Sequence, residues 1–377
     1  MRRALALVGL FACHATERRD VDLPTHVDAP TPPPIASVAA KPHVLVEKPR
    51  PFTVTKLAFA EPTLDVFVRG TPDPDFTAKI DAATKGLQRR RRPVVGHGRI
   101  AIAGESTSGP AILLFDTSAR LLGQIRGAHP FFLPDGRVGF HDGNRVGVWD
   151  GQGAPRMLGA DQPSLCVAPS CKRAAFPIAL SPDLSVALVG VFGGGFVSDD
   201  EAFRLDLGAS TTQAVVSRSK DTSYLSGTTM ADGTYCSFRT KVGHGPGEPG
   251  EPGVLLCFAP PWDQGRELLA TEGGAYVALG GVAGKVVTGD VHTIHVLDPR
   301  TGEHVAYPSP AGGGLIMPLD DGRDVAIEGD DAIVVVDLVA ETFASYPTKN
   351  TVVFPLGPGV KGFVSSGDGT GTLVTFE

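Results

Sequence analysis

At 377 residues the chain is long enough to bury a large core, as one big domain or two ordinary ones. Its 47 Gly and 32 Pro make up about a fifth of the residues and, with frequent Val and Ile, point to many short strands joined by turns. A formal charge of −7 gives no reason to expect nucleic-acid binding, and no apolar run reaches the roughly 18 residues of a membrane-spanning helix.

The chain begins MRRALALVGLFACHATERRD. Arg2 and Arg3 form a basic start, Ala4 to Ala12 is uncharged and mostly apolar, and Ala12 precedes Cys13. This start resembles a bacterial lipoprotein signal peptide. The resemblance implies removal of residues 1–12, lipidation of Cys13 and a cell-envelope address. His14, which is not Asp, implies the outer membrane. A plain secretory signal is the alternative.

Removing Cys13 leaves Cys166, Cys171, Cys236 and Cys257, an even set suited to two disulfides in an oxidising compartment. The expected pairs are Cys166–Cys171 and Cys236–Cys257, the second joining TYCSF to VLLCF. A zinc site would need closer double spacing, so no metal is assigned. From residue 13 to Pro51 the chain is Pro-rich, with TPPP and EKPRP, and lacks sustained apolar periodicity. It reads as a disordered tether before a domain over 52–377.

Two strand-like stretches follow, FTVTKLAFA from Phe52 and TLDVFVRG from Thr63. Next, Phe76, Ile80, Ala83 and Leu87 recur at helical spacing behind Pro74, which predicts one short amphipathic helix. The run Arg89 to Arg92 then reads as a basic helix C-terminus.

From Gly96 onward a turn-and-strand unit recurs: GHGRIAIAG, LPDGRVGF, SPDLSVALVG, ADGTYCSF, VAGKVVTGD, DDGRDVAI and GPGVKGFV. Their turn anchors, His97, Asp135, Asp183, Asp232, Ala283, Asp321 and Gly359, are 38 to 51 residues apart. A later strand in each unit often ends in Asp: AILLFD, RVGVWD, EAFRLD, TIHVLD and AIVVVD. Each unit therefore reads as four strands, and the whole resembles a seven-bladed β-propeller of the WD-repeat-like or quinoprotein-like kind. The GH and WD signatures of true WD repeats are missing apart from Trp149-Asp150. A pair of β-sandwiches is the structural alternative. The last unit stops after its third strand, TLVTFE, so an N-terminal strand is expected to complete it, from either FTVTKLAFA or TLDVFVRG.

In such a propeller the links between second and third strands share one face. Here they carry Glu105, Asp142, Asp199, Asp200, Asp290, Asp330, Asp331 and Asp368, with further acids at Glu201, Glu248, Glu251 and Glu328. Acids outnumber bases, and such a field suits a basic protein or cations. HDGN at His141 to Asn144 lacks the alternating oxygen ligands of a calcium loop and reads as a turn. His292 and His295, three apart on a strand, face opposite sides. No catalytic motif is recognisable. The expectation is a monomeric, lipid-anchored, non-enzymatic binding platform with no cofactor. A propeller enzyme, quinoprotein-like dehydrogenase or metal-dependent lactonase, is the alternative.

Overall fold

The strand-ending aspartates have one local job. In each of five units the carboxylate accepts backbone amides two to four residues ahead and so closes the turn that follows the strand. Asp116 Oδ1 accepts from Ser118 and Arg120 (2.9 and 3.0 Å), and Asp150 Oδ1 from Gln152 (2.8 Å). Asp206, Asp298 and Asp337 each take two amides at 2.8–3.1 Å. An Asp side chain substitutes here for a backbone acceptor, which is why the residue type repeats at this place. The earlier turn of each unit works similarly. Asp135 Oδ1 accepts from Arg137 N (3.0 Å), and Gly136 sits at φ 85°, a region an L side chain rarely adopts.

These turns fold the chain into seven sheets. The computed structural model describes residues 41–377 apart from 92, 163–164, 166–173, 193–199, 218–221, 242–252, 272–275, 283, 290–291, 312–315, 320–321, 330, 349–350 and 368–369. Each sheet is built on four antiparallel strands in simple order, and two of them gain a fifth, parallel strand at the rim. Blade 1 runs from Val94–Gly96 to Leu121–Arg126, blade 2 from Ala128–Phe132 to Arg156–Leu158, and blade 3 from Ala174–Leu180 to Thr211–Val216. Blade 4 runs from Thr222–Thr229 to Gly265–Thr271, blade 5 from Tyr276–Val282 to His304–Pro308, and blade 6 from Ile316–Pro318 to Thr342–Pro347. In blade 7, Val352–Pro355, Gly362–Gly367 and Thr370–Phe376 are joined by Phe52–Leu57. First strands of successive blades contact one another around a channel, and fourth strands lie at the rim. This is a seven-bladed β-propeller.

Closure takes the first of the two candidate strands. Phe52 to Leu57 pairs antiparallel with Phe376 back to Gly371. TLDVFVRG is instead helix α1 (Leu64–Arg69), ended by Gly70 at φ 66°. Two helices are therefore present where one was expected, the second being α2 (Pro74–Thr84), capped by Asp73 Oδ1 accepting from Phe76 N (3.0 Å). The reason lies in where the helices sit. Six apolar clusters fill the gaps between blades 1 and 7 in sequence, and the helices fill the gap between blade 7 and blade 1. Val66 packs with Leu356, Val364 and Leu373 of blade 7. Val68, Phe76 and Ile80 pack with Ile100, Leu113 and Phe115 of blade 1. A segment buried on both sides carries apolar residues on both sides, and in so short a run that pattern looks like a strand.

In α2, Phe76 and Ile80 are buried as the spacing predicts, but Ala83 is exposed and Thr84 is buried, its hydroxyl donating to Ile80 O (2.8 Å). The arginine run does not cap the helix, which ends five residues earlier.

The Pro-rich stretch is bound to the ring over its last part, correcting its reading as a free tether up to Pro51. Lys41–Pro42 pairs parallel with Val305 and Ala306 on the rim of blade 5, and Val46–Glu47 with Thr342 and Phe343 on the rim of blade 6. Proline suits an edge strand, where only one side needs a backbone donor, and His43 N supplies it to Ala306 O (3.2 Å). The strap then ties in through Arg50. Its guanidinium makes a two-point contact with the fully buried Asp324 of blade 6 (2.9 and 3.2 Å), donates to Glu377 O (3.0 Å) and lies over the Phe376 ring.

The Cys236–Cys257 disulfide is present, its two residues directly opposite on adjacent strands of blade 4 with Cα atoms 4.1 Å apart. Cys166, Cys171 and Cys13 lie outside the described residues.

Two outcomes follow for stability. Arg50→Ala leaves the buried Asp324 carboxylate without its cation and is expected to cost about 3 kcal/mol by urea unfolding. Asp324→Asn, which removes the buried charge as well, should cost less than Arg50→Ala; the reverse order would refute the charge-burial account. Replacing Cys236 and Cys257 together with Ala is expected to cost about 3 kcal/mol, from the freedom regained by the unfolded loop between them. No loss in unfolding free energy would refute it.

Candidate functional site

The links between second and third strands do share one face, hereafter the link face, together with the links between blades. Of the acids assigned to it, Asp199, Glu248, Glu251, Asp290, Asp330 and Asp368 lie outside the described residues. Asp200 begins the strand Asp200–Asp206 opposite Phe192. Asp331 is exposed, and its backbone carbonyl accepts from Thr348 N (3.1 Å).

The remaining acids are engaged. Glu105 faces Arg89 (3.5 Å) and Asp142 faces Arg126 (2.9 Å). Glu328 accepts from Val353 N (2.7 Å), bridging blades 6 and 7, and burial raises its pKa. Arginines absent from the sequence-based count supply part of this balance. Gln88 bridges to Glu105, and Arg91 N donates to Ala103 O (2.9 Å), so residues 88–91 run beside the upper half of strand Arg99–Ser106. This places Arg89 to Arg91 on the link face, at the channel side of blade 1. Arg90 Nη1 donates back to Asp81 (2.7 Å) and Thr84 (2.9 Å) of α2.

Arg91 is different. Its Nη1 donates to His129 Nε2 (2.5 Å). His129 belongs to the innermost strand of blade 2, where a bulge leaves it at φ 47°. With Nε2 accepting, His129 must carry its proton on Nδ1, which donates to His141 Nε2 (2.8 Å). His141 is fully buried, and its Nδ1 in turn donates to Gly143 O (3.1 Å). Phe176, from the innermost strand of blade 3, stacks on His129 with centroids 3.9 Å apart and planes at 4°. The segment leading into blade 1 and the inner strands of blade 2 thus build one directional chain, Arg91 to His129 to His141 to Gly143, at the link-face mouth of the channel, with Phe176 of blade 3 stacked against it.

Both rings are held neutral. Burial, then the charge of Arg91 and then His141, hold the His129 pKa down to about 3. Burial also lowers that of His141, against the opposing pull of the Gly143 carbonyl and with a further push from Arg91. A protonated His129 would meet the guanidinium with a second positive charge and no lone pair.

The sequence points to HDGN only as a turn, which it is: His141 and Asp142 end one strand, Gly143 turns at φ 56°, and Arg145 begins the next. His129 and Phe176 carry no sequence signal of their own, and Arg91 stands out only as part of the arginine run, since the three meet from the segment before blade 1, from blade 2 and from blade 3. Among the described residues no group of three or more His, Cys, Asp or Glu is placed to hold a metal ion.

No family model matches the chain, and no curated protein matches it. Solved structures resemble its fold. An oligogalacturonate lyase in complex with manganese is 13% identical over 74% of this chain and 86% of that one, with a TM-score of 0.43. The β-propeller domain of the Trilobed protease from Pyrococcus furiosus is 8% identical over 75% and 92%, with a TM-score of 0.42. TolB from Acinetobacter baumannii is 17% identical over 59% and 54%, with a TM-score of 0.30. At these values the likeness concerns the fold alone.

The buried histidines give stability a defined pH dependence. An unfolded histidine takes a proton near pH 6.5, whereas in the folded protein burial lowers the pKa of both rings, that of His129 to about 3. Between the two values the unfolded chain binds more protons, so stability is complete above about pH 6.5 and falls as the pH drops toward 3. His304, held down to about 4 by burial and then by His295, acts in the same direction. Urea unfolding is expected to show a loss of about 2 kcal/mol from His129 alone between pH 7 and pH 5. A His129→Gln/His141→Gln double variant should flatten that slope; an unchanged slope would place the effect elsewhere.

Proposed function

We propose that this protein is a lipid-anchored β-propeller of the bacterial cell envelope, serving as a non-enzymatic binding platform through its link face. The observation that carries this reading is the route of the N-terminal strap. Lys41 and Pro42 pair at the start of strand His304–Pro308, and Val46 and Glu47 at the start of Thr342–Pro347. Both fourth strands start at the turns closed by Asp298 and Asp337, on the face opposite the links. His43 reaches the same level, its Nδ1 2.6 Å from Glu341 Oε1. An anchor attached upstream of Lys41 therefore joins the ring at the rim of the turn face, and the link face is left open to partners.

Two further features support the platform reading. The buried Cys236–Cys257 bridge suits an oxidising compartment. At the channel mouth, the histidines have both ring nitrogens committed to neighbours within the chain, and the carboxylates of Glu105 and Asp142 face arginines. Groups so engaged hold shape and are poorly placed as proton-transfer bases.

The test has two parts. Cells fed a labelled fatty acid should yield a labelled protein, and Cys13→Ser should lose both label and membrane partition; a Cys13→Ser form that stays with membranes refutes the anchor. A photo-crosslinking residue placed in intact cells at the exposed Ser108, in a second-to-third strand link, should give adducts of discrete mass. The same residue at the exposed Ser118, in a turn of the opposite face, should give none. Adducts from Ser118 alone refute the link-face platform.

A further inference from the structure

We infer that Arg91 is the binding group for a carboxylate-bearing ligand at the link-face mouth of the channel. The inference is independent of lipidation at Cys13, because it rests on how the guanidinium is held.

Neighbouring arginines are neutralised where they stand: Arg89 by Glu105, Arg90 by Asp81 and Arg126 by Asp142. Arg91 has no carboxylate partner among the described residues. It is held by a neutral imidazole, which orients the guanidinium through one hydrogen bond and leaves its positive charge whole. The acceptor is reliable because its tautomer is set from behind. The Gly143 carbonyl fixes the proton of the fully buried His141, His141 Nε2 fixes that of His129, and His129 Nε2 is left as a lone pair facing Arg91. Phe176 stacked on His129 prevents the ring from turning away. A buried relay of this kind is costly to build for an arginine that merely decorates the surface.

The geometry also selects the ligand. With Nη1 on His129, the Nε and Nη2 edge of the exposed side chain is free among the described residues, and its two parallel donors match the two oxygens of a carboxylate. One uncompensated positive charge balances one carboxylate. A doubly charged phosphate would have half its charge unmet. The carboxylate could come from the C-terminus of a peptide or from a sugar acid.

The test uses the full chain and reads the imidazole nitrogens of His129 by NMR while a ligand is added. N-acetyl-trialanine is compared with its C-terminal amide, glucuronate with glucose, and inorganic phosphate is titrated separately. A saturable shift of His129 is expected with at least one carboxylate and with neither neutral control, and the responding probe identifies the source. Arg91→Gln, at an exposed position, should weaken that binding at least tenfold with an unchanged melting temperature. His141→Gln should weaken it through loss of tautomer control, and His141→Asn, whose shorter amide cannot reach His129, should be no better. No response to either carboxylate, an equal response in Arg91→Gln, or binding of phosphate as tight as that of the carboxylate would overturn the proposal.

Discussion

The structure depends on one pairing across the whole length of the chain: Phe52 to Leu57 against Gly371 to Phe376. A propeller made of consecutive hairpins has two raw ends, and the third strand of its last blade would otherwise present unpaired backbone groups to solvent. Supplying the fourth strand from the other end turns a row of blades into a ring. Arg50 reinforces that junction at the point where strap, blade 6 and chain end meet, because one guanidinium touches Asp324, Phe376 and Glu377 together. Earlier in the strap, two short parallel pairings cover the rims of blades 5 and 6, so the same segment closes the ring and shields part of its perimeter.

Closure has a geometric consequence at the seam. After the closing strand the chain must pass from the rim of blade 7 to the channel side of blade 1. It does so as α1 and α2, which become the packing material of that gap. Asp65 Oδ2 accepts from Asp73 N (2.6 Å) and fixes the angle between the helices, while Phe67 O accepts from Gly357 N (2.7 Å) and fixes α1 on blade 7. The residues after α2 then run up beside blade 1 and deliver Arg89 to Arg91 to the channel mouth. The position of the candidate site is thus a product of how the ring was closed.

At that mouth, charge is handled by pairing for most groups and by a neutral relay for one. The first arrangement stabilises; the second holds a charge in reserve. Because Arg91 comes from the segment paired beside blade 1, His129 from blade 2 and Phe176 from blade 3, the site also reports on ring integrity: these three neighbours must be in place before the hydrogen-bonded and stacked arrangement is complete.

The sequence by itself determined the number of blades, their order and the turn chemistry, because these rest on short-range physics. An aspartate that closes a turn does so through amides two to four residues away, and a Gly at φ 85° answers to its own turn. It also determined the Cys236–Cys257 bridge, since residues opposite each other in one hairpin are placed by the hairpin. The tertiary structure alone decided the rest. FTVTKL and TLDVFVRG have similar apolar content, and only the two-sided burial of the seam makes the second a helix. EKPRP looks like a solvated tether until Asp324, buried far along the chain, requires a cation. Arg89 and Arg91 look like part of a helix terminus because their partners Glu105 and His129 lie on other strands, and the neutrality of His129 is imposed by burial that no local pattern encodes. Interactions set within a hairpin can be read along the chain, whereas those set between blades exist only once the ring has closed.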